Sequence, residues 1–530
     1  MASEAHDASP MRLSRFYDHL FVAVLVAYSI TFIYWIISVP SLLPIDDGGG
    51  YFLHSLFVYD RLKHDPANFI DIFLHFIGNY KPPVLFFSTD LGFFLIGESF
   101  KTAFLVLLTY ALIALYALYR LGTEVGGRYV GLAAVLFTLG FSIFHYTASA
   151  FVTELPLITF TLVCAYLTLR RDCLTDWRKT AILGLSVGAG LMTRESFVFF
   201  FFPFGVYLMS QSIKSGERRV YLNIAAAALI AALTALPWYI VNFNDGVLYG
   251  FHLAFDSKQP LSASVLTWYN TLFYPTAFYE SSPPLFIISI ASLVFAFRGS
   301  DSRLKVMAAT VFFTFFVYLL VQAHMPRYLS PLLPLLGVLT GSMLARIGDN
   351  RLLLLALVVM AAMSAHSMLS YYFRLEGWGV KSKPLNAGEK SKEIVDIVSQ
   401  HHAQDVRVLV TSNIFGSYNS QNVIALSHLQ GINIIVTDWV GFVSGTHLPY
   451  NHSIIQPSLE ISSTDFVIRN NITTCNWAFL SMEDCNAVIR NYWDEFERQK
   501  GNFTKVGSVF SVFNGEIEIY KRRVDNGSTG

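Results

Sequence analysis

The stretch Pro40–Lys101 reads PSLLPIDDGGGYFLHSLFVYDRLKHDPANFIDIFLHFIGNYKPPVLFFSTDLGFFLIGESFK and lies between two apolar segments. It opens with two adjacent carboxylates, Asp46 and Asp47, shortly after the first long hydrophobic run. A Lys-Pro-Pro turn at 81–83 and a short amphipathic stretch at 84–96 follow. Acidic residues at a membrane boundary are costly unless they are solvated or have a function. The stretch therefore predicts a functional loop that the rest of the chain holds against the bilayer.

The composition of the chain predicts a polytopic α-helical membrane protein. Its 530 residues are 54% hydrophobic and only 14% charged, which is too apolar for an ordinary soluble domain. The formal net charge is zero, so nothing indicates a nucleic-acid partner. Polar residues become more frequent after about Phe373. We therefore predict a transmembrane domain over 1–372 and a soluble domain over 373–530.

About eleven apolar runs are candidates for crossing roughly 30 Å of hydrocarbon. We predict spans at 17–39, 102–120, 129–147, 151–169, 180–193, 197–213, 220–242, 283–298, 306–323, 328–346 and 352–372. The run at 180–193 is short for a crossing. The first run follows Arg12 and Arg15 and has no small-residue cleavage site, which predicts a retained signal anchor.

The distribution of Lys and Arg predicts the orientation of the spans. With the N-terminus inside, the inner loops carry most of these residues, while the outer short connections carry only Arg194 and Arg327. This asymmetry puts the site loop 41–101, the aromatic loop 243–282 and the whole tail on the outer side of the membrane.

The tail from residue 373 has the pattern of a small α/β domain. Short β-rich runs alternate with stretches of helical spacing. The predicted strands are 406–410, 432–437 and 465–468, and the predicted helices are 390–400 and 486–500. Cys475 and Cys485 could form a disulfide on the outer side, but connectivity is not readable from sequence, so the pairing stays open.

Asp46 and Asp47 have two interpretations. Gly48-Gly49-Gly50 follows them and allows a ligand to approach the backbone closely, so either carboxylate could accept a proton from an incoming hydroxyl. Alternatively, the two acids cap a helix that starts near Tyr51.

Cationic residues near the predicted outer boundary also have two interpretations. Lys81 either extends to the headgroup level or binds a phosphate. The clusters Arg194-Glu195 and His324-Met-Pro-Arg327-Tyr328 break the charge pattern of the loops and are functional candidates. The structural alternative is an ion pair between helices, such as Arg194 with Glu195 or with Glu154.

The loop 243–282 contains ten aromatic residues, Trp268 and Tyr269 among them. They have two interpretations: they stack on a sugar, or they line the membrane interface.

Taken in chain order, these motifs resemble the GT-C superfamily of polyprenyl-phosphate-sugar glycosyltransferases, notably protein O-mannosyltransferases and lipid A aminoarabinose transferases. The resemblance covers roughly residues 15–345. It rests on the acidic pair and Tyr51, the Lys-Pro-Pro turn, and three later motifs: Thr-Glu-Leu-Pro at 153–156, Gly-Leu-Met-Thr-Arg at 190–194 and Pro-Arg-Tyr-x-x-Pro-x-x-Pro at 326–334.

The resemblance implies transfer of a sugar from an undecaprenyl- or dolichyl-phosphate carrier with inversion, and a loop aspartate as general base. The base falls on Asp47 if the spacing to Tyr51 is kept and on Asp46 if one glycine is an insertion. Lys81 matches a position near the carrier phosphate in the aminoarabinose branch. The chain departs from many relatives, which have Lys where it has Arg194, and its triple glycine is unusual. The tail resembles no family.

The leaving phosphate needs cations more than a general acid. The cations at the predicted outer face are Lys81, Arg194, Arg327 and His324. The expected substrate-binding residues are Tyr51, Glu154, Glu195, Tyr328, Trp268 and Tyr269. No His, Cys or Asp cluster has metal-ligand spacing, so we predict no cofactor, although paired acids could hold a divalent ion.

The expected partners are a polyprenyl-phosphate-linked sugar, a glycan, lipid or protein acceptor, and membrane lipids. The expected location is a bacterial inner membrane, with the tail outside. The alternative function is a multi-span secondary transporter or flippase. Transporters usually have internal repeats and broken helices that meet at mid-membrane. Here the charges are concentrated at the outer boundary instead.

Overall fold

The computed structural model of the chain is mostly helical, with one β-sheet near its C-terminus. It describes residues 8–39, 48–76, 82–170, 172–243, 248, 268–321, 325–373, 387–401, 406–410, 420–430, 434–438, 464–470, 493–511 and 515–523.

The first part of the chain forms fifteen helices among the described residues, together with short helical turns. They are α1 (Ala8–Ser38), α2 (Gly48–His64), α3 (Val84–Ile96), α4 (Phe100–Gly126), α5 (Arg128–Leu139), α6 (Ser142–Ser149), α7 (Glu154–Leu169), α8 (Trp177–Leu191), α9 (Phe197–Ser215), α10 (Arg218–Val241), α11 (Trp268–Ser281), α12 (Pro283–Arg298), α13 (Ser302–Leu320), α14 (Leu332–Ala345) and α15 (Asn350–Phe373). The short turns are Pro66–Asn68, Phe69–Asp71, Ile72–Phe76 and Pro326–Leu329.

Six of these helices are long and apolar enough to cross a membrane: α1, α4, α9, α10, α13 and α15. They lie at six of the eleven predicted spans. The predicted span at 129–147 consists of α5 and α6, which meet at an angle of 72°, so it counts as a seventh only if the bent pair is one span. The other four predicted spans correspond to α7, α8, α12 and α14, none longer than 16 residues. The chain is thus an integral membrane protein, but the predicted count of eleven is not confirmed.

Close backbone contacts hold the centre of the helical part together. α4 and α5 approach each other at Gly122 and Gly131, where a Cβ on Gly122 would lie 2.6 Å from the Cα of Gly131. α14 also approaches α5 closely, since a Cβ on Gly337 of α14 would lie 2.8 Å from the carbonyl oxygen of Ala134. Glycines at these crossings allow the backbones to approach closely, as is common between membrane helices.

The helices α2 and α3 of the loop 41–101 pack on this central part through aromatic side chains. The ring of Phe52 stacks on that of Phe100 with centroids 4.0 Å apart, and it meets Phe93 edge to face at 5.8 Å. The amide of Val84, the first residue of α3, donates to the carbonyl of Met192 at the end of α8 over 3.1 Å. α2 begins at Gly48, three residues before the predicted start at Tyr51, so Asp47 directly precedes it in the sequence.

The C-terminal part contains helices α16 (Ala387–His401) and α17 (Ser420–Leu429) and a five-stranded sheet. The strands are β1 (Val406–Val410), β2 (Ile434–Asp438), β3 (Phe466–Asn470), β4 (Phe503–Ser511) and β5 (Gly515–Arg522). Their order is β2-β1-β3-β5-β4, with β1 parallel to β2 and β3 and with β5 antiparallel to β3 and β4. Apolar side chains of α16 and the strands form a core of their own. The division of the chain at residue 372 stays a prediction.

Candidate active site

Three of the predicted site residues form one buried ionic cluster. Glu154 Oε1 accepts a hydrogen bond from Nη1 of Arg194 at 2.5 Å and another from Nε of Arg327 at 3.0 Å. The side chains of Glu154 and Arg327 are each only 2% exposed, whereas that of Arg194 is 19% exposed. Of the two partners considered for Arg194, Glu154 is the one that the structure pairs with it.

The three residues of the cluster lie at three different helix ends or connections between helices. Glu154 is the first residue of α7, where the N-terminal end of the helix dipole favours a negative charge. Arg194 lies in the connection between α8 and α9, and Arg327 in the short helical turn Pro326–Leu329. The backbone before Glu154 is strained, because Phe151 has a positive φ of 52° that non-glycine residues rarely adopt. Such strain is concentrated at functional sites.

Aromatic side chains surround the two guanidinium groups. The Cζ atom of Arg194 lies 4.4 Å from the ring centroid of Tyr328, and that of Arg327 lies 5.7 Å from it. Nη1 of Arg327 donates to the hydroxyl of Tyr146 over 3.4 Å. A guanidinium over an aromatic face is held electrostatically, and its plane is fixed. The cluster is therefore ordered before any ligand binds.

The cluster has an excess of positive charge. One carboxylate, Glu154, pairs with two arginines, so these three side chains alone carry one net positive charge. Glu195 is the next residue after Arg194, and its Oε1 is buried without a hydrogen-bond partner among the described residues. Arg194, the more exposed of the two arginines, is thus the cation that a bound anion would reach first.

A large apolar groove begins at this cluster. Its volume is about 1330 Å³, and it lies between α8 and α10 on one side and α9 on the other. Most of its wall is aliphatic or aromatic. Its polar lining at one end includes Arg194, Glu195, Tyr239 and Tyr328. The groove exceeds the usual volume of small-molecule pockets, roughly 300–1,000 Å³, and its shape suits a long hydrocarbon chain with a polar head.

The other predicted site residues are described only in part. Asp46, Asp47, Lys81 and His324 lie outside the described residues, as do Cys475 and Cys485. The backbone of Trp268 and Tyr269 belongs to α11, and their side chains are not described.

Tyr51 on α2 is buried, and its ring centroid lies 5.9 Å from that of Phe86 on α3.

Several residues near the site were not predicted from sequence. Tyr146, Tyr318 and Tyr239 contact or adjoin the cluster and its groove, but a tyrosine within an apolar span has no distinctive signal. Asp90 on α3 had a signal, as an acid within an apolar stretch. It is 1% exposed, and neither carboxylate oxygen has a partner among the described residues.

Part of the chain is similar in sequence to a known protein family. Residues 80–238, which include Glu154, Arg194 and Glu195, match the family described as dolichyl-phosphate-mannose-protein mannosyltransferase. This match covers less than a third of the chain. No curated protein sequence matches the chain significantly.

Solved structures match over nearly the whole chain. ArnT from Cupriavidus metallidurans in the apo state has a TM-score of 0.65 and 13% identity, over 96% of this chain and 98% of that one. The same protein bound to undecaprenyl phosphate has a TM-score of 0.65 and 12% identity, over 97% and 99%. The Archaeoglobus fulgidus oligosaccharyltransferase in complex with Zn and sulfate has a TM-score of 0.53 and 11% identity, over 93% and 72%. At these identities the matches show a shared fold, and at that level they confirm the resemblance to GT-C glycosyltransferases.

Proposed function

We propose that the chain is a membrane glycosyltransferase that moves a sugar from a polyprenyl-phosphate carrier to a hydroxyl or phosphate of an acceptor. The acceptor is a glycan, a lipid or a protein on the outer face of the membrane. The observation that carries the proposal is the arginine cluster at the polar end of the apolar groove. A lipid with a phosphate head needs both features at the same place.

In this proposal the groove holds the prenyl chain, and the cluster binds the carrier phosphate. The aliphatic wall takes the hydrocarbon out of water, which is favourable in proportion to the apolar area covered. Arg194 presents a planar fork that suits phosphate oxygens, and its pairing with Glu154 fixes it in place. During the reaction the same positive charge stabilises the phosphate as it leaves.

The loop before α2 supplies the base. Asp47, or Asp46, accepts the proton of the acceptor hydroxyl as its oxygen attacks the anomeric carbon on the face opposite the phosphate. Direct displacement of this kind inverts the anomeric configuration, by analogy with inverting glycosidases. The hydrogen bond from the amide of Val84 to the carbonyl of Met192 supports this assignment, because it holds the loop 41–101 against the segment that carries Arg194.

The comparisons support the same conclusion. The matched family is described by a dolichyl-phosphate-mannose donor, and one matched structure is bound to undecaprenyl phosphate. Lys81 and His324 complete the proposed set of phosphate-binding cations, and Glu195, Tyr328, Trp268 and Tyr269 are proposed to contact the sugar or the acceptor. We place the protein in a bacterial inner membrane, with the domain 373–530 outside.

A deletion strain tests the function whichever sugar the protein transfers. We expect mass spectrometry of its envelope lipids and glycans to show one species that lacks a sugar, and the unmutated chain to restore it. Complementation with Asp47→Asn and Asp46→Asn separates the base from a helix cap. Loss of a general base costs about 100- to 10,000-fold in rate, whereas Asn remains a good cap.

The double Asn variant, expressed at the same level, should not restore the missing sugar. Full restoration by the double variant would reject the mechanism, and it would favour the secondary transporter or flippase instead.

A further inference from the structure

A second cluster of chemically active side chains lies away from the proposed catalytic site, where the C-terminal part contacts the outer loop. α17 packs against α2, and Ala425 of α17 is fully buried in the same core as the membrane helices. Leu426, the next residue, contacts both this core and that of the sheet. α17 is thus the element through which the C-terminal part docks on the helical part.

Three potential metal ligands meet at this junction. Asp60 comes from α2, Glu98 from the connection between α3 and α4, and His428 from α17. One ligand atom from each lies within 4.8 Å of the other two. Nε2 of His428 is already 2.9 Å from Oδ2 of Asp60. All three residues are half-buried, so the site is accessible to an ion but partly shielded from water.

The ligand types suit Zn²⁺. Imidazole nitrogen and carboxylate oxygen bind zinc at about 2.0–2.2 Å, and sites with three protein ligands leave a fourth position for water. Ligand atoms around a tetrahedral zinc are then about 3.4 Å apart. The His428–Asp60 distance of 2.9 Å is about 0.5 Å shorter than this value. A movement of the Glu98 carboxylate by at most about 1.4 Å, from 4.8 to about 3.4 Å, completes the set.

Charge and surroundings are also consistent with a cation. Asp60 and Glu98 together carry the two negative charges that neutralise Zn²⁺. Lys63 lies 3.5 Å from Glu98, but its side chain is 56% exposed and can move away or hold the second carboxylate oxygen. The ring of Phe57 meets that of His428 edge to face at 6.5 Å, which restricts the orientation of the imidazole. Without a metal these groups form only partly exposed ion pairs, which contribute little to stability.

We propose that Asp60, Glu98 and His428 bind one Zn²⁺ that fastens the C-terminal part to the loop carrying the proposed base. The site is structural: it joins α2, which follows Asp47, to α17, and it takes no part in sugar transfer. Such a bridge would fix the position of α2 relative to the C-terminal part. The proposal is independent of the proposed function, because it is tested without any donor or acceptor.

The test uses the full chain in detergent, purified with an affinity tag free of histidine. The protein is stripped with EDTA, loaded with ZnCl₂ and passed through a desalting column, and its zinc is measured by mass spectrometry. We expect one retained zinc per chain, with X-ray absorption showing one imidazole among oxygen ligands. His428→Ala, Asp60→Asn and Glu98→Gln should each weaken zinc binding by at least about 10-fold.

His401→Ala is the matched control, since His401 is an exposed histidine of the same C-terminal part. It should retain zinc like the unmutated chain. Zinc should also raise the melting temperature of the unmutated chain and of His401→Ala, but not that of His428→Ala. The proposal is rejected if the unmutated chain retains no zinc, or if His428→Ala and Asp60→Asn retain it equally well. It is also rejected if the absorption spectrum shows no imidazole ligand, whether or not the variants fold.

Discussion

Glu154 shows how one residue can organise a site. A carboxylate that is 2% exposed is costly to bury alone, and here it is compensated by hydrogen bonds from two arginines. The same arrangement leaves the pair of arginines with an excess charge that faces the groove through Arg194. A structural ion pair and a phosphate-binding site were alternatives from sequence. The structure contains the ion pair, and the phosphate-binding role of the same cluster is our proposal.

Glu154→Gln keeps the size of the side chain and removes its charge. We expect the free energy of unfolding to fall by about 3–5 kcal/mol, because two buried like charges then lack their counter-ion. Thermal unfolding in detergent measures the change. Glu280→Gln, at an exposed glutamate of α11, is the control and should have little effect. Equal stability of both variants would mean that the cluster contributes nothing to folding.

At the scale of elements, sequence was most informative where one helix contains the whole of a long apolar run. α3 occupies the predicted stretch 84–96, and α1, α10 and α15 match predicted spans closely. The predicted span at 129–147 consists of two helices, because the chain bends at Gly140-Phe141, where α6 turns away to pack near α15. That bend depends on neighbouring helices, which a local pattern does not reveal.

In the tail, three strands lie at the predicted runs, but β4, β5 and α17 were missed. The sequence of β5 does have the alternation typical of a strand, because Ile517 and Ile519 alternate with Glu516 and Glu518. The two isoleucines are buried in the structure. The sequence of α17 gives little indication of a helix, since its packing surface faces α2, which lies more than 350 residues earlier in the chain.

A substitution at Gly184 tests the packing of α8 against α10, which form one wall of the groove. A Cβ at this position of α8 would lie 2.6 Å from the carbonyl oxygen of Ala227 on α10, and a backbone atom cannot yield easily. Gly184→Ala should therefore separate the two helices and lower the free energy of unfolding by about 1–3 kcal/mol. Gly205→Ala on α9 is the matched control, because its Cβ would meet only a side-chain atom at 3.7 Å.

Gly205→Ala should be neutral or slightly stabilising, by up to about 1 kcal/mol, since Ala favours a helix more than Gly does. Denaturant or thermal unfolding of both variants gives the comparison. If Gly184→Ala is as stable as Gly205→Ala, α8 and α10 are not in the close contact described.

At the scale of the whole molecule, sequence named the members of the ionic cluster and gave Glu154 as one of two candidate partners of Arg194, but it did not predict the contact between Arg327 and Glu154. Glu154 is 40 residues from Arg194 and 173 from Arg327, and only the folded chain brings them together. The zinc-site residues are a stronger case: Asp60 and Glu98 are unremarkable surface acids in the sequence, and His428 lies in the distant tail. Spacing reveals ligands on one element, whereas these sites assemble from three.

The orientation of the molecule is testable by chemical labelling. Arg498→Cys puts a thiol on a side chain of the tail that is 72% exposed, and Lys214→Cys puts one at the predicted inner end of α9. In intact spheroplasts, a membrane-impermeant maleimide should label Cys at 498 and reach Cys at 214 only after permeabilisation. Cys164 and Cys173 are buried, and the unmutated chain measures any remaining background. The reverse pattern would place the proposed site on the cytoplasmic side.

The most direct test of the account is the affinity of the purified chain for undecaprenyl phosphate compared with undecaprenol, which lacks the phosphate. The unmutated chain should bind the phosphate at least about tenfold more tightly, as expected for hydrogen bonds to a charged group. Arg194→Ala should lose this preference. Arg218→Ala, an exposed arginine at the start of α10, should keep it. If Arg194→Ala still prefers the phosphate as strongly as the unmutated chain, the cluster is not the site of the carrier phosphate and the account is contradicted.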